Sequence, residues 1–165
     1  MCINFFCNKC QELPINNPLF GLCDDQNGTK AYTNINNPAK WIATVKNDYH
    51  VNLVFTAIDK CVIKDNEEAE RGRCDGMLTS EGKNHIYFVE LKDEAKNWIT
   101  NAIEQLESTI RFFIENHDIT VFKHKKAFAC NKQHSRFQVI DNEFNLRFFR
   151  KYGVRIDIQT EVIIV

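Results

Sequence analysis

The sequence has no long apolar run. No stretch approaches the roughly 18 consecutive apolar residues that a membrane-spanning helix requires, and the opening MCINFFCNKCQ lacks the basic start, apolar stretch and cleavage site of a signal peptide. Internal repeats, low-complexity tracts and a phosphate-binding glycine loop are also missing. These absences argue against a membrane protein, a repeat protein and an enzyme driven by nucleotide hydrolysis, and we expect a cytoplasmic protein.

The composition is that of an ordinary globular protein. Hydrophobic residues make up 44% and charged residues 26% of the 165 residues, with thirteen Phe as the only excess, so disordered and collagen-like classes are excluded. A chain of this length can bury a core without requiring disulfides or metals. We expect a single domain over residues 1–165, with an irregular appendage over 1–36 and a core over 37–165.

The seven cysteines are an odd number, and several lie in apolar strand-like runs. There a thiol behaves as a small hydrophobic group, which favours a reducing compartment. Cys7 and Cys10 form one C-x-x-C pair, Cys23 follows, and Cys2 is a candidate fourth ligand. Four thiolates would close a structural Zn²⁺ site that could hold the appendage together. A zinc ribbon would carry two such pairs, however, so unligated thiols are the alternative.

The net charge of −1 conceals an asymmetry. Residues 119–155 carry nine Lys or Arg against two acidic residues, so this third has a charge of +7 and the remainder −8. A nucleic-acid partner requires a local basic surface rather than a basic protein. The alternative is an ordinary solvated surface, or a charged edge strand that resists aggregation. The candidate nucleic-acid contacts are Lys123, Lys125, Lys126, Lys132 and Arg136.

Local patterns predict the order of elements. Asn27-Gly28 signals a hairpin turn, and NNPAKWIATVKN predicts a short helix with Pro38 at its first position. VNLVFTAIDKCVI, RCDGML and HIYFVELK predict a three-stranded meander, and the apolar spacing over 94–117 predicts a long amphipathic helix. ITVFKHKKAFACN then predicts a fourth strand, DNEFNLRFFRKYG a helix ending at Gly153, and TEVIIV a closing strand.

Charged residues interrupt two neighbouring strands of this meander. Phe88, Glu90 and Lys92 alternate onto one strand face, whereas Tyr87, Val89 and Leu91 form the opposite face, which we expect to be the core side. Asp75 on the preceding strand is expected opposite or diagonal to Glu90. Two carboxylates this close repel unless a cation neutralises them, and Mg²⁺ takes one or two carboxylates with several waters. The alternative is an exposed ion pair between Glu90 and Lys92.

The motifs CDGML and YFVELK, followed by a long helix, resemble the core of the PD-(D/E)XK nuclease superfamily. The resemblance covers about two-thirds of the chain. It implies an α/β fold with a restriction-endonuclease-like αβββαβ core, whose mixed central sheet is flanked by helices. It also implies a Mg²⁺- or Mn²⁺-dependent nuclease, with DNA a better candidate than RNA, and a role in defence or restriction.

The resemblance assigns roles to residues as well. Asp75, Glu90 and the main-chain carbonyl of Leu91 would ligate the metal, and Lys92 would position or activate the attacking water. Gln105 resembles a glutamine that several branches carry on the following helix near the metal, although it would equally suit the solvated flank of an amphipathic helix.

The predicted first helix departs from the family pattern because PAKWIATVKN contains no acidic residue. Asp48 or Asp59 is a candidate substitute for that acid, and the alternative is a site with a single metal ion. The alternative function is a non-catalytic nuclease-like module that binds nucleic acid or a partner protein. Homodimerisation or a larger complex is a further expectation, because a small nuclease often needs one to cut both strands.

Overall fold

The computed structural model describes residues 3–64, 72–134, 138 and 141–165. The fold is a mixed α/β arrangement of two mixed sheets and two α-helices. Within the described residues, neither helix combines the length and apolar character required to cross a membrane. The nine strands are β1 (Leu19–Cys23), β2 (Tyr32–Asn34), β3 (Ala43–Lys46), β4 (Leu53–Ala57), β5 (Gly76–Ser80), β6 (His85–Lys92), β7 (His124–Asn131), β8 (Arg155–Ile158) and β9 (Glu161–Ile163). The helices are α1 (Ile99–Asn116) and α2 (Asn142–Tyr152).

The larger sheet contains the predicted meander. Its order is β4-β5-β6-β7-β8, with antiparallel pairing from β4 to β6 and parallel pairing from β6 to β8. The meander, the long helix and the fourth strand are thus confirmed as elements. The helix begins at Ile99 rather than in the polar stretch from residue 94, and α2 ends as predicted at Gly153, whose positive φ of 72° suits a glycine cap.

Both faces of the larger sheet are buried, whereas the sequence predicted a core on one face of β6. Phe88 and Met77 contact the helix layer, where Leu106, Ile110 and Phe113 of α1 contribute to one core. Tyr87, Val89 and Leu91 pack against the second sheet in another core. The molecule therefore has three layers: the helices, the five-stranded sheet and the four-stranded sheet.

The second sheet has the order β2-β1-β3-β9 and includes the predicted N-terminal hairpin. β3 occupies the segment predicted as a short helix, so that prediction is wrong. Only Pro38–Lys40 forms a helical turn, of the 3₁₀ type. The β-branched residues that follow favour an extended backbone, and β3 pairs with β1 on one side and β9 on the other. No α-helix thus precedes the meander within the described residues, and the restriction-endonuclease-like core is not confirmed.

Candidate active site

The end of β6 extends beyond its neighbour β5 and carries the charged pair. β5 begins at Gly76, which pairs with Val89, so Glu90, Leu91 and Lys92 lie past the last ladder pair. The residue before β5 is Asp75. Its carboxylate takes the place of a strand partner, because Oδ2 accepts a hydrogen bond from the main-chain N–H of Leu91 at 2.7 Å.

Asp75 and Glu90 are adjacent, with Glu90 buried and Asp75 half-buried. The main-chain N–H of Asp75 donates to Oε1 of Glu90 at 3.2 Å, and Glu90 is only 2% exposed. Burial and the neighbouring Glu90 charge raise the pKa of Asp75 well above its ordinary value, and burial likewise raises the pKa of Glu90. The cost of ionising both groups is therefore high unless a cation neutralises them.

Lys92 supplies one such cation. Its Nζ lies 3.2 Å from Oε2 of Glu90, and its side chain is 14% exposed. The exposed ion pair considered as an alternative is therefore not what the structure contains, since both partners lie largely out of solvent. One ammonium faces two carboxylates here, so the group retains an excess of negative charge when all three are ionised.

A polar cavity of about 280 Å³ opens over these three residues. Gln105, from α1, lines it, and the buried Oε1 of Gln105 has no hydrogen-bond partner among the residues that the structure describes. A buried polar atom without a partner is unusual and requires an explanation. Arg73 and Asp59 also line the cavity and form an ion pair with Nε and Oδ1 separated by 2.6 Å.

Two candidate substitutes for the missing helix acid have different positions. Asp59 lines the cavity but is paired with Arg73, whereas Asp48 is exposed in the loop after β3. Asp24, at the start of the β1–β2 turn, was not among the predicted site residues, yet it lines the same cavity and its side chain contributes to the raised pKa of Asp75. No local signal identifies Asp24, because it approaches the site only through the packing of the second sheet.

The donor set suits a hard cation without forming a cage. Among the described parts of the chain, no three or more His, Cys, Asp or Glu side chains are arranged to hold a metal ion. Mg²⁺ does not require such a cage, because it binds through one or two carboxylates and keeps several waters. Asp75 and Glu90 provide the carboxylates, and the Leu91 carbonyl accepts only a long hydrogen bond, 3.4 Å, from Nε2 of Gln26. The residues present at this site therefore fit a Mg²⁺ ion.

The candidate zinc ligands are not brought together. Cys10 forms a disulfide with Cys61, so the expectation that both thiols are free is wrong. Burial, followed by the nearby charge of Asp25, raises the pKa of Cys23 to about 11, which opposes formation of the thiolate that zinc requires. Cys7 is free and half-buried, and Cys2 lies outside the described residues.

The candidate nucleic-acid contacts are divided between the two ends of β7. Because β6 and β7 are parallel, His124 pairs with His85 and Asn131 pairs with Lys92. Lys132 is therefore next to the cavity end, where its main-chain N–H donates to the Lys92 carbonyl at 2.9 Å. Lys126, Lys125 and Lys123 lie about 20 to 30 Å from Lys132, toward the other end of the strand. Arg136 falls outside the described residues.

Comparison of the chain with protein-family models, curated proteins and solved structures found no match.

Proposed function

We propose that the chain is a metal-dependent phosphodiesterase that hydrolyses nucleic acid, with DNA as the preferred substrate. One observation carries the proposal: two adjacent carboxylates, the half-buried Asp75 and the buried Glu90, share a polar cavity with Lys92 and with Gln105, whose amide oxygen has no partner among the described residues. A site arranged only for stability would leave neither an excess buried charge nor an unpaired buried oxygen.

Asp75, Glu90 and the Leu91 carbonyl would hold Mg²⁺ or Mn²⁺. A hard divalent cation bound there supplies Lewis acidity, which polarises a phosphoryl group and acidifies a coordinated water. Asp75 is held in place by the Leu91 N–H, so its carboxylate is oriented before any cation binds. This preorganisation reduces the reorganisation needed during the reaction.

Lys92 and Gln105 act on the substrate side of the site. The Lys92 ammonium lies beside Glu90 and can orient the attacking water or stabilise negative charge that develops on the phosphoryl oxygens. Oε1 of Gln105, which has no partner in the described part of the chain, can accept a hydrogen bond from that water. Positioning of this kind can supply a large part of a hydrolytic rate enhancement.

A second function is favoured by the direct contact between Lys92 and Glu90. If this pair serves only to neutralise the buried carboxylate, the protein is a non-catalytic module that binds nucleic acid without cutting it. The two functions differ in what loss of Lys92 changes: cleavage in the enzyme, and only stability or affinity in the module.

The test is cleavage of plasmid, single-stranded DNA and RNA with Mg²⁺, Mn²⁺ or EDTA. Lys92→Ala and Asp75→Asn are compared with Lys96→Ala, an exposed lysine four residues further along the chain. We expect cleavage only with divalent metal, a loss of roughly 100-fold or more in the first two variants, and no loss in Lys96→Ala. Binding without cleavage by the wild type, or equal cleavage by all variants, would overturn the enzymatic function.

A further inference from the structure

The tip of the N-terminal hairpin, residues 24–30 between β1 and β2, forms one wall of the cavity. Asp24, Gln26, Gly28 and Thr29 all line it. Gln26 reaches furthest, since its Nε2 donates to the main-chain carbonyl of Leu91, between Glu90 and Lys92. The segment that was expected to be an appendage therefore lies next to Glu90, Leu91 and Lys92.

Local hydrogen bonds fix the shape of this wall. Oδ1 of Asp24 accepts from the Gln26 N–H at 2.8 Å, and Oδ1 of Asn27 accepts from the Thr29 N–H at 3.2 Å. At the base of the tip, the Tyr32 hydroxyl donates to Oδ1 of Asp25 at 2.7 Å. Asx turns of this kind hold a loop in one conformation, so the tip is a structured wall rather than an open strand end.

A second wall of the cavity is formed by the turn that follows β4, together with Arg73 just before β5. Lys60 and the Asp59–Arg73 ion pair line the cavity there. Next to them, Cys61 is joined through its disulfide to Cys10. Each wall thus has stabilising contacts of its own, the Asx turns within the hairpin tip and the disulfide beside the turn after β4.

The space between these walls is too small for a double helix. A volume of about 280 Å³ lies slightly below the range of about 300–1,000 Å³ typical of small-molecule sites, and a double helix, which is wider than its own groove, cannot enter it. The major groove of B-DNA alone is about 12 Å wide. Glu90, at 2% exposure, lies at the base, so a scissile phosphate must enter the cavity to reach it.

We propose that the substrate is a single-stranded stretch of nucleic acid, threaded between the hairpin tip and the turn after β4. This inference rests on the proposed hydrolytic function. Duplex DNA is stiff over about 50 nm and cannot bend one strand into a pocket this narrow, whereas a single strand can turn at each nucleotide. Base pairing over the scissile phosphate therefore excludes a substrate from the site.

The chemistry of the walls also indicates how the strand is held. The described lining residues are polar, charged or aliphatic and include no aromatic side chain. Stacking on aromatic rings, which strengthens many single-strand binders, is therefore absent from the cavity itself. Lys60, Arg73 and Lys92 are outnumbered in the lining by the four carboxylates of Asp24, Asp59, Asp75 and Glu90, so a phosphate would need the divalent cation in order to enter, and without a stacking ring we expect little base preference.

The test compares cleavage of a labelled single strand, its perfect duplex and the duplex with a single-stranded overhang, all with Mg²⁺. We expect the single strand to be cut at least about tenfold faster than the duplex, and the partial duplex to be cut only in its overhang. Two variants probe the wall. One replaces residues 25–29 with Asn-Gly, and the other is Gln26→Gly, which suits the positive φ of 58° at that position and so preserves the fold.

The shortened hairpin should raise the cleavage rate of the duplex and so reduce the ratio of the single-strand rate to the duplex rate. Gln26→Gly should reduce this ratio to a smaller extent. Equal or faster cleavage of duplex by the wild type would overturn this inference and leave the hydrolytic function intact. Binding of both substrates to Lys92→Ala, followed by fluorescence anisotropy, separates the two claims. If the wild type cuts nothing but the single strand binds about tenfold more tightly than the duplex, only the hydrolytic function is overturned. If the wild type cuts nothing and the two affinities are equal, the single-strand inference is overturned as well.

Discussion

The side chain of Asp75 accepts the hydrogen bond that the main-chain N–H of Leu91 would otherwise donate to a neighbouring strand. Oδ2 of Asp75 accepts from the Leu91 N–H at 2.7 Å, while the Asp75 N–H donates to Oε1 of Glu90 at 3.2 Å. The same contacts that close the sheet edge therefore hold two carboxylates next to each other. Stability and function oppose each other here, because the arrangement suits a cation but is costly without one.

The first prediction concerns pH and divalent metal. The pKa values of Asp75 and Glu90 are raised in the folded protein, chiefly by burial. Above about pH 4 the unfolded chain has lost these protons, whereas the native state still holds them. The free energy of unfolding without metal therefore falls as the pH rises from the ordinary carboxyl pKa to the raised pKa of the folded protein. Thermal unfolding in EDTA should therefore show a lower Tm at pH 8 than at pH 5.

Asp75→Asn removes one of the two charges while keeping an oxygen for the Leu91 N–H. Without metal at pH 8 it should be more stable than the wild type by on the order of 1 kcal/mol, and its Tm should depend less on pH. Mg²⁺ should raise the Tm of the wild type but not that of the variant. An unchanged pH dependence in Asp75→Asn, compared with the exposed-site control Asp48→Asn, would contradict this account.

The second prediction concerns the buried ion pair. Lys92→Met keeps the length of the side chain but leaves Glu90, 3% exposed at its side chain, without its ammonium partner. Loss of one partner of a buried pair typically costs about 3–5 kcal/mol. The cost should increase as pH rises, because burial raises the pKa of Glu90 and the unpaired carboxylate must ionise at higher pH. Lys92→Met/Glu90→Gln should recover most of that loss in urea unfolding, and failure of the double variant to do so would show that Lys92 acts through packing instead.

The site residues could be predicted because their placement depends on local strand geometry. Alternation places Glu90 and Lys92 on one face, and the short turn near Gly82 fixes the register with the strand after Asp75. The long helix is similarly local, since its apolar spacing repeats over about five turns. These features require no knowledge of distant parts of the chain.

The second sheet could not be predicted in the same way. Pro38 is a strong local signal for a helix start, but β3 gains pairing on both sides from β1 and from β9, about 120 residues later. The position of the hairpin tip over the cavity also depends on that pairing. Both the strand conformation of β3 and the position of Asp24 thus depend on tertiary contacts that the local sequence does not contain.

The third prediction concerns the disulfide. Cys10 and Cys61 close a loop with a sequence separation of 51 residues, for which loop-closure entropy gives about 4 kcal/mol of stabilisation. Cys61→Ala, or reduction of the wild type, should lower the free energy of unfolding by about that amount. Cys7→Ala, which alters a free and half-buried thiol, should have little effect. Equal stability of the oxidised and reduced protein would indicate that the bond does not form in solution.

The fourth prediction concerns the glycine beside Asp75. A Cβ atom at Gly76 would lie 2.4 Å from Cζ of Phe55 and 2.9 Å from the Thr56 carbonyl oxygen, so β4 and β5 could not keep their present spacing. Gly76→Ala should therefore cost about 1–3 kcal/mol and displace Asp75. At Gly82 the nearest atom would be 3.7 Å away, so Gly82→Ala is the matched control and should unfold close to the wild type.

The fifth prediction separates the two ends of the basic strand. Lys132 lies at the cavity end of β7 and Lys123 at the opposite end, and both are exposed lysines. If nucleic acid binds across the cavity, Lys132→Ala should weaken binding and reduce the slope of log affinity against log salt by about one, as expected for loss of one phosphate contact.

Lys123→Ala should leave both quantities near their wild-type values, because its ammonium is too distant to contact a phosphate in the cavity. Fluorescence anisotropy between 50 and 200 mM salt, about the range over which phosphate contacts dominate affinity, measures both effects. Both variants change a solvent-exposed position and remove one positive charge. A difference between their affinities therefore depends on where the lysine lies and not on the net charge. A larger effect at Lys123 would place the nucleic-acid path along the far end of the sheet and remove it from Asp75 and Glu90.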